Sequence, residues 1–360
     1  MKKSIAFFIY DVSLVGGAER ISLQLANDFT QEYNVFVFSL FGTNDKPVVE
    51  LNNNITFIFM NRKIKSIPKN ILKFTLQLRG LLKKFKIDIL LGVTAGINSI
   101  ALFSIMFTKV KWLYCEHSNL ENQTYGRLHF FRQTLGALFS DKVIVLTERD
   151  KNNFIKAFSI KNTKLIVIPN YFIFNYNVKS YNIQSKKIVS VGRLVKIKQF
   201  DHIIKISENL FKIYPDWEWH IYGQGELYGK LEKEIKDKNL NSHVRLMGHR
   251  DNINSLLGDY SFFVMTSRYE GLPLSILEAQ SNGLPVISYD CPTGPSEMIT
   301  DNENGFLIKQ NDTNMLYEKI NLLIEDSKLR EYFSKNASNR LIYFDKNTVL
   351  KKWFHLLSSL

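Results

Sequence analysis

Two carboxylates in the second half of the chain are placed to bind the hydroxyl groups of a polar ligand. Glu270 follows the apolar run 261–265, which predicts a buried strand, and Glu278 falls on the first turns of a helix that ends near Gly283. The backbone N–H groups of 271–274 would face the positive end of that helix, where an anion can bind. An anion site between two hydroxyl-accepting carboxylates suits a nucleotide sugar, with the diphosphate in the middle and the ribose and the hexose on either side.

A second segment, upstream of these carboxylates, supplies cations. The predicted strand 187–191 leads into a turn at Gly192, which is followed by Arg193, by Lys198 and by a helix that begins near Gln199. The planar guanidinium can hold phosphate oxygens in a fork, and the lysine adds a point charge. Together they would stabilise the negative charge that grows on a departing diphosphate. Alone, such a basic loop is more often a solvated surface, but its combination with the two carboxylates favours a phosphate-binding role.

The elements that must position these residues follow an alternating pattern, which is typical of parallel α/β layers. The predicted strands are 4–10, 34–40, 55–59, 87–93, 111–116, 142–147, 164–168, 187–191, 217–222, 243–248, 261–265 and 285–288, with short extended pieces near 297–299 and 305–308. The predicted helices include 18–31, 68–86, 97–107, 127–139, 148–158, 312–325, 328–341 and 346–358.

The length of 360 residues exceeds what one hydrophobic core usually holds, so two domains are expected. The boundaries predicted by the pattern are a first domain at 1–170, a linker at 171–186, a second domain at 187–342, and a C-terminal helix at 343–360 that can pack back on the first domain. The predicted fold class is α/β, with two Rossmann-like, doubly wound domains that face each other across a cleft and bind ligands at the carboxyl ends of their strands.

Taken together, Gly192-Arg-Leu…Lys198 and Glu270-Gly-Leu-Pro…Glu278-Ala resemble the donor-site signatures of the family 4 retaining glycosyltransferases, which have the GT-B fold. The resemblance covers nearly the whole chain. Further similar segments are Leu14–Glu19 after the first predicted strand, Glu116-His117-Ser118 after the fifth, Val145–Glu148, Ile168–Asn170, and Asp290–Ile299, which is similar to a stretch common in members that build bacterial surface polysaccharides.

The resemblance implies a role for each matching side chain in the predicted donor-binding domain. Arg193 and Lys198 would bind the donor diphosphate, Glu278 would accept hydrogen bonds from the ribose, and Glu270 would accept them from the transferred sugar. Arg250 lies in the region that contacts the nucleobase in the family. The expected catalytic residues are Glu270, His117, Arg193 and Lys198.

The family pattern also assigns backbone contacts. Gly16 and Gly17 would let the backbone of the first domain approach the phosphate, because glycine has no side chain in the way. Gly271, Leu272 and Pro273 stand where family members pass the chain close to sugar and phosphate, and the proline, which lacks an N–H, contributes contact and shape only. His117 would face the sugar. A histidine at this position can instead satisfy a hydrogen bond at the strand end, and this alternative stays open.

The activity that the resemblance implies is retaining, metal-independent transfer of a hexose or N-acetylhexosamine from a nucleotide-diphosphate sugar, with UDP as the expected nucleotide and no cofactor. The expected acceptor is a lipid-linked or membrane-bound glycan in the synthesis of a bacterial capsule, lipopolysaccharide O-antigen or exopolysaccharide. One alternative is a cytosolic transferase that acts on a soluble sugar or sugar phosphate. Another, from a different class, is a non-catalytic nucleotide-sugar-binding protein.

The net charge of +13 lies almost entirely in the first half of the chain. Residues 1–180 contain 24 Lys and Arg against 12 Asp and Glu, and residues 62–86 contain nine basic residues, among them Lys65, and no acidic one. Helical spacing of the apolar residues makes this segment a basic amphipathic helix. One interpretation is a core-facing helix with a solvated lysine face, and the other is attraction to an anionic membrane surface. Nucleic acid is not an expected partner, because no recognised binding motif accompanies the charge.

Cysteine usage and hydropathy bear on the compartment. The two cysteines, Cys115 and Cys291, form no disulfide framework, which favours a reducing compartment. The longest apolar segment, 97–107, is too short to span a bilayer. The sequence therefore predicts a cytoplasmic protein that can attach peripherally to the inner face of the cell membrane.

Overall fold

The structure is a computed structural model that describes residues 2–14, 16–63, 66–117, 120, 126–174, 181–250 and 252–360. Ser118 and Lys65, named above, lie outside the described residues, as do residues 175–180 of the predicted linker. The chain divides into two compact units. The first comprises Met1–Asn170 and Trp353–Leu360, and the second comprises Tyr171–Lys352. This division places 171–186 with the second unit.

In the first unit, the described residues form a parallel sheet of seven strands in the order β3-β2-β1-β4-β5-β6-β7. The strands are β1 (Ser4–Asp11), β2 (Asn34–Phe41), β3 (Thr56–Phe59), β4 (Ile89–Val93), β5 (Lys111–Cys115), β6 (Lys142–Val145) and β7 (Leu165–Val167). Central strands such as β4 are buried along their whole length, which is why they read as unbroken apolar runs. The strand order reverses between β1 and β4, where folds of this kind bind ligands.

The helices of the first unit are α1 (Gly17–Phe29), α2 (Ile67–Lys84), α3 (Asn98–Ile105), α4 (Arg127–Phe139) and α5 (Glu148–Phe158). The inner faces of α2 to α5 pack with the sheet into one core. The end of the last helix of the chain packs on this unit through Trp353 and Phe354, whose ring centroids lie 5.7 and 5.6 Å from that of Phe29.

In the second unit, the described residues form a parallel sheet of six strands in the order β10-β9-β8-β11-β12-β13. The strands are β8 (Lys187–Val191), β9 (Glu218–Tyr222), β10 (Val244–Gly248), β11 (Phe262–Met265), β12 (Val286–Tyr289) and β13 (Gly305–Ile308). The helices are α6 (Phe200–Ile213), α7 (Tyr228–Asp237), α8 (Asn254–Leu257), α9 (Leu274–Ser281), α10 (Pro295–Met298), α11 (Thr313–Glu325) and α12 (Ser327–Asn336). The last helix, α13 (Lys346–Ser358), begins in this unit and ends in the first, which contains the chain from Trp353 onward.

The predicted α/β class with two Rossmann-like parallel-sheet domains is confirmed. One local prediction is wrong, because the piece expected to be extended at 297–299 lies largely in α10. Gly294 turns the chain with a φ of +99°, and Pro295 then occupies the first turn, where its fixed φ favours a helix. No helix within the described ranges is both long and apolar enough to cross a membrane.

Candidate donor-binding site

The loops that leave β8, β9 and β10 are joined by backbone hydrogen bonds at the carboxyl end of the second sheet. Gly192 donates its N–H to the Tyr222 carbonyl at 2.9 Å, and Gly223 donates to the Gly248 carbonyl at 2.9 Å. Leu194 adds a third bond, to the carbonyl of Gln224, at 2.8 Å. The loop after β9 therefore holds the backbone around Gly192 and is itself held by the end of β10, so the predicted phosphate-binding turn has a fixed position.

Glycine is required at two points of this contact. Gly223 has a φ of +151°, and a Cβ added there would lie 1.9 Å from the Gly192 carbonyl oxygen. A Cβ on Gly225 would lie 2.3 Å from the Leu194 carbonyl oxygen. The glycine-rich turn after β9 thus serves close packing against the β8 loop.

Lys198 ends a short 3-10 turn that the loop after β11 holds in place. The Thr266 hydroxyl donates to the Lys198 carbonyl, and the Arg268 N–H donates to the Ile197 carbonyl, both at 2.8 Å. The lysine stem passes close to Gly192, where a Cβ would stand 3.4 Å from Lys198 Cε. Thr266 and Arg268 therefore fix the direction in which the Lys198 side chain leaves the backbone.

The Lys198 ammonium forms an ion pair with Glu270, with 2.5 Å between Nζ and Oε1. The two side chains are only 17% and 12% exposed, so the pair is largely shielded from water. A shielded charge that loses its partner is costly, so the two side chains hold each other in place. The ammonium has two further N–H donors and the carboxylate has further lone pairs, so both can bind a ligand as well.

The loop between Glu270 and α9 is supported by the loop that follows β12. The Thr293 hydroxyl donates to the Glu270 carbonyl. Gly294 packs so closely on this loop that a Cβ would lie 2.4 Å from Pro273 Cδ and 3.0 Å from the Gly271 carbonyl oxygen. The sequence analysis did not assign Thr293 and Gly294 to the site. The Gly-Pro pair at 294–295 is a turn signal and could have indicated a loop at this position.

Helix α9 begins directly after Pro273, and no described side chain caps its first turn. Its N-terminal N–H groups and its dipole therefore present partial positive charge beside Glu270. Glu278 lies in the second turn of α9 and is half-buried. Asn282 Nδ2 donates to the Glu278 carbonyl at 2.8 Å and so helps to close the far end of the helix.

The buried thiol of Cys291 lies near this ion pair. Burial raises its pKa well above the usual range, and the Glu270 carboxylate acts in the same direction, against a smaller effect of Lys198. Burial also raises the pKa of Cys115 in the first unit, again with help from a carboxylate, that of Glu116. Both cysteines are therefore neutral thiols, which are weak nucleophiles.

His117 follows β5 at the carboxyl end of the first sheet. Burial lowers its pKa to about 4, although the carboxylate of Glu116 acts in the opposite direction. Its Nδ1 is buried and has no hydrogen-bond partner among the described residues. Glu116 itself accepts hydrogen bonds from Tyr114 Oη and, at 3.1 Å, from Gln133 Nε2. The imidazole is therefore neutral near pH 7 and has an unused nitrogen.

The two glycines at the start of α1 have different surroundings. Gly16 is the N-cap, and a Cβ there would lie 2.1 Å from a carboxylate oxygen of Glu19. Gly17 has open space, with nothing within 4 Å of the Cβ position. Burial raises the pKa of Glu19, and the charge of Asp11 adds to the effect. Gly16 thus makes room for the glutamate, whereas Gly17 leaves the helix N-terminus uncovered.

The predicted site residues fall into two groups, each at the carboxyl end of one sheet. In the second unit these are Arg193, Lys198, Arg250, Glu270, Gly271, Leu272, Pro273 and Glu278, and in the first unit they are Gly16, Gly17 and His117. Lys198 and Glu270 are in direct contact, whereas Arg193 and Arg250 are exposed side chains. Within the described part of the chain, no three His, Cys, Asp or Glu residues are grouped so that they could hold a metal ion.

Two family models match the chain, one for each half. Residues 15–172 match the model described as "Glycosyltransferase Family 4", and residues 176–340 match the one described as "Glycosyl transferases group 1".

Several relatives are similar over nearly the full length. An uncharacterized glycosyltransferase of Haemophilus influenzae is 30% identical, over 99% of this chain and 100% of its own. The amylovoran biosynthesis glycosyltransferase AmsD of Erwinia amylovora is 27% identical, over 98% and 99% of the two chains. A Campylobacter jejuni relative, named as an alpha-1,4-N-acetyl-D-galactosaminyltransferase of a PP-undecaprenol-linked glycan, is 26% identical over 95% of both. Among solved structures, Anabaena HepE in complex with UDP superposes with a TM-score of 0.81 at 20% identity and covers 100% of both chains.

Proposed function

Since this chain belongs to glycosyltransferase family 4, we propose that it transfers a hexose or N-acetylhexosamine from a UDP-linked donor to a lipid-linked or membrane-bound glycan. Its relatives include enzymes of bacterial polysaccharide synthesis. The proposed pathway class is the assembly of a capsule, an O-antigen or an exopolysaccharide.

The ion pair between Lys198 and Glu270 is the observation that carries this proposal. A dianionic diphosphate attracts the ammonium more strongly than one carboxylate does, so the donor would bind Lys198 and free Glu270 for a sugar hydroxyl. Arg193 is exposed on the loop before Lys198, where its guanidinium can turn towards the diphosphate. The uncapped start of α9 adds backbone donors.

The proposed reaction is retaining and needs no metal. The bond between the anomeric carbon and the leaving phosphate oxygen breaks, and the acceptor oxygen bonds to the same face of that carbon. The acceptor hydroxyl gives its proton to the departing phosphate, so a protein nucleophile is not required. Lys198, Arg193 and the N-terminus of α9 would offset the charge that a metal ion offsets in other transferases.

The remaining roles are proposals of the same kind. Glu278 would bind the ribose, and Arg250 would lie by the nucleobase. Gly17 would leave its backbone open to phosphate, and Gly16, whose own N–H donates to the Leu14 carbonyl at 3.0 Å, would let the chain pass close by because it has no side chain. Neutral His117 would contact the transferred sugar through a hydrogen bond, since an imidazole can both donate and accept.

A membrane-bound acceptor is supported by the Campylobacter relative, whose name specifies an undecaprenyl-linked substrate, and by the charge of α2. Each basic residue near an anionic lipid surface contributes about 1 kcal/mol of attraction. We therefore include peripheral attachment, on the cytoplasmic side, in the proposal.

The test is UDP release by the purified chain across a panel of UDP sugars, with membrane extract as the acceptor source. Glu270→Gln and Lys198→Gln should each lose about a hundredfold or more in rate, because Lys198 acts where charge develops on the diphosphate and Glu270 orients the transferred sugar. Glu208 and Lys238 form another ion pair in the same unit and provide the matched control through Glu208→Gln and Lys238→Gln. Full activity of either site variant, or no release from any donor, would overturn the assignment.

A further inference from the structure

Helices α2, α3 and α4 form one continuous outer layer on the first unit. The Ser104 hydroxyl of α3 donates to the Thr75 carbonyl in the middle of α2, at 3.1 Å. Asn98 of α3 donates to the Arg132 carbonyl of α4, at 2.9 Å. The inner faces of all three helices belong to the same buried core. Their outer faces are therefore neighbouring parts of one surface.

This surface exposes large apolar side chains. Leu72 and Leu76, one helical turn apart on α2, are 70% and 60% exposed, and Phe107, just after α3, is 94% exposed. The other exposed apolar residues of the layer are Phe103, Met106, Leu128, Phe130, Phe131, Leu138 and Phe139. A folded protein rarely leaves so many apolar side chains together in water unless the surface has a partner.

The charge of the same layer has one sign. The sequences of α2, α3 and α4 contain no Asp or Glu. Lys69, Lys73 and Lys83 lie at helical spacing from the two exposed leucines and so share their face of α2. Long lysine stems can lie along an apolar surface while their ammonium groups reach outward to phosphate. Exposed apolar residues among basic ones, with no acidic residue, are typical of helices that lie in a membrane interface.

We propose that the outer surface of α2, α3 and α4 inserts its apolar side chains into the headgroup boundary of an anionic bilayer. The partner is the lipid surface, because its phosphate headgroups attract the basic side chains and its acyl chains provide an apolar environment for the leucines and phenylalanines. This inference rests on the proposed membrane-bound acceptor and extends it from electrostatic attraction to apolar insertion. Among the described elements, α4 is the first helix after His117, so the proposed membrane-binding surface includes the helix that follows the predicted sugar-contacting end of the first sheet.

The test is flotation of the purified full chain with vesicles of phosphatidylglycerol and phosphatidylcholine in equal parts, at about 0.1 M and about 0.5 M salt. Wild type should bind at low salt and keep part of its binding at high salt, since apolar insertion is not screened. Leu72→Gln/Leu76→Gln should bind about tenfold or more weakly at both salt concentrations. Phe107→Asn should also weaken binding, and asparagine tolerates the φ of +61° found there.

The matched control is Ile213→Gln/Ile342→Gln, which removes two side chains of 58% and 60% exposure from the second unit and should leave binding unchanged. Wild-type binding by the leucine variant, or an equal loss in the control, would overturn the proposal. So would a dimer, seen by light scattering, that the leucine substitutions dissociate, because the surface would then bind a second copy. Flotation uses no donor or acceptor, so a failed transfer assay overturns the proposed function without deciding the vesicle result.

Discussion

Gly223 offers a sharp test of how the candidate site is built. Substitution by alanine would place a Cβ 1.9 Å from the Gly192 carbonyl oxygen, at a φ of +151° that other residues rarely adopt. The conformational strain costs about 1–3 kcal/mol. Relief of the overlap would separate the β8 and β9 loops and weaken hydrogen bonds worth about 1 kcal/mol each. The expected loss in the free energy of unfolding is therefore about 3 kcal/mol.

The assay is urea unfolding of Gly223→Ala and wild type, followed by tryptophan fluorescence. Trp217 and Trp219 are buried in the second unit and report on its unfolding. The affinity for UDP, measured by calorimetry, should also fall, because the loop that carries Arg193 would have to move.

Gly229→Ala provides the control, since Gly229 lies in α7 with nothing within 4 Å of the Cβ position. Alanine there should stabilise the protein by up to about 1 kcal/mol through its higher helix propensity. The proposed role of Gly223 would be refuted if Gly223→Ala kept both its stability and its UDP affinity, or if Gly229→Ala lost as much stability as Gly223→Ala.

Three further predictions concern the site itself. Thr293→Val removes the hydroxyl that donates to the Glu270 carbonyl and should weaken donor binding by about 1 kcal/mol. Thr293→Ser keeps a hydroxyl and should bind the donor as wild type does. Equal donor KM values in wild type and both variants would contradict this prediction. Lys198→Gln leaves the shielded Glu270 carboxylate without its ion-pair partner. The double variant Lys198→Gln/Glu270→Gln should therefore unfold at a higher temperature than Lys198→Gln alone. A lower unfolding temperature for the double variant would contradict the ion pair. Burial lowers the pKa of His117 in the folded protein to about 4. As the pH falls, His117 is therefore protonated in the unfolded chain before it is protonated in the folded protein. The free energy of unfolding should therefore fall between about pH 6.5 and pH 4, with His117 contributing up to about 1.4 kcal/mol per pH unit. It should fall less steeply in His117→Gln. Identical pH dependence of the free energy of unfolding in wild type and His117→Gln would contradict this prediction.

Much of the fold could be predicted because apolar runs and turn residues agree along the chain. The strand Lys187–Val191 and the helix Glu148–Phe158 match their predicted bounds. The segment at 297–299 could not be predicted in this way, because α10 follows Gly294, which has a φ of +99° and lies so close to Pro273 that a Cβ would be 2.4 Å from its Cδ. Such long-range packing leaves no local period in the sequence.

The candidate site shows the same limit. Residue types identified Lys198 and Glu270 as ligand-binding groups, but not as partners, because their contact depends on the loops after β8 and β11. Helical periodicity assigned the core-facing side of α2 but did not single out Leu72 and Leu76, whose exposure becomes visible only when the neighbouring helices are in place.

Retaining, metal-independent transfer is tested most directly by the anomeric configuration of the product, determined by NMR from a donor with an α-linked UDP in the presence of EDTA. We expect an α-linked product at an undiminished rate, and a loss of rate of about a hundredfold or more in Glu270→Gln. A β-linked product, a reaction abolished by EDTA, or full activity of Glu270→Gln would contradict it.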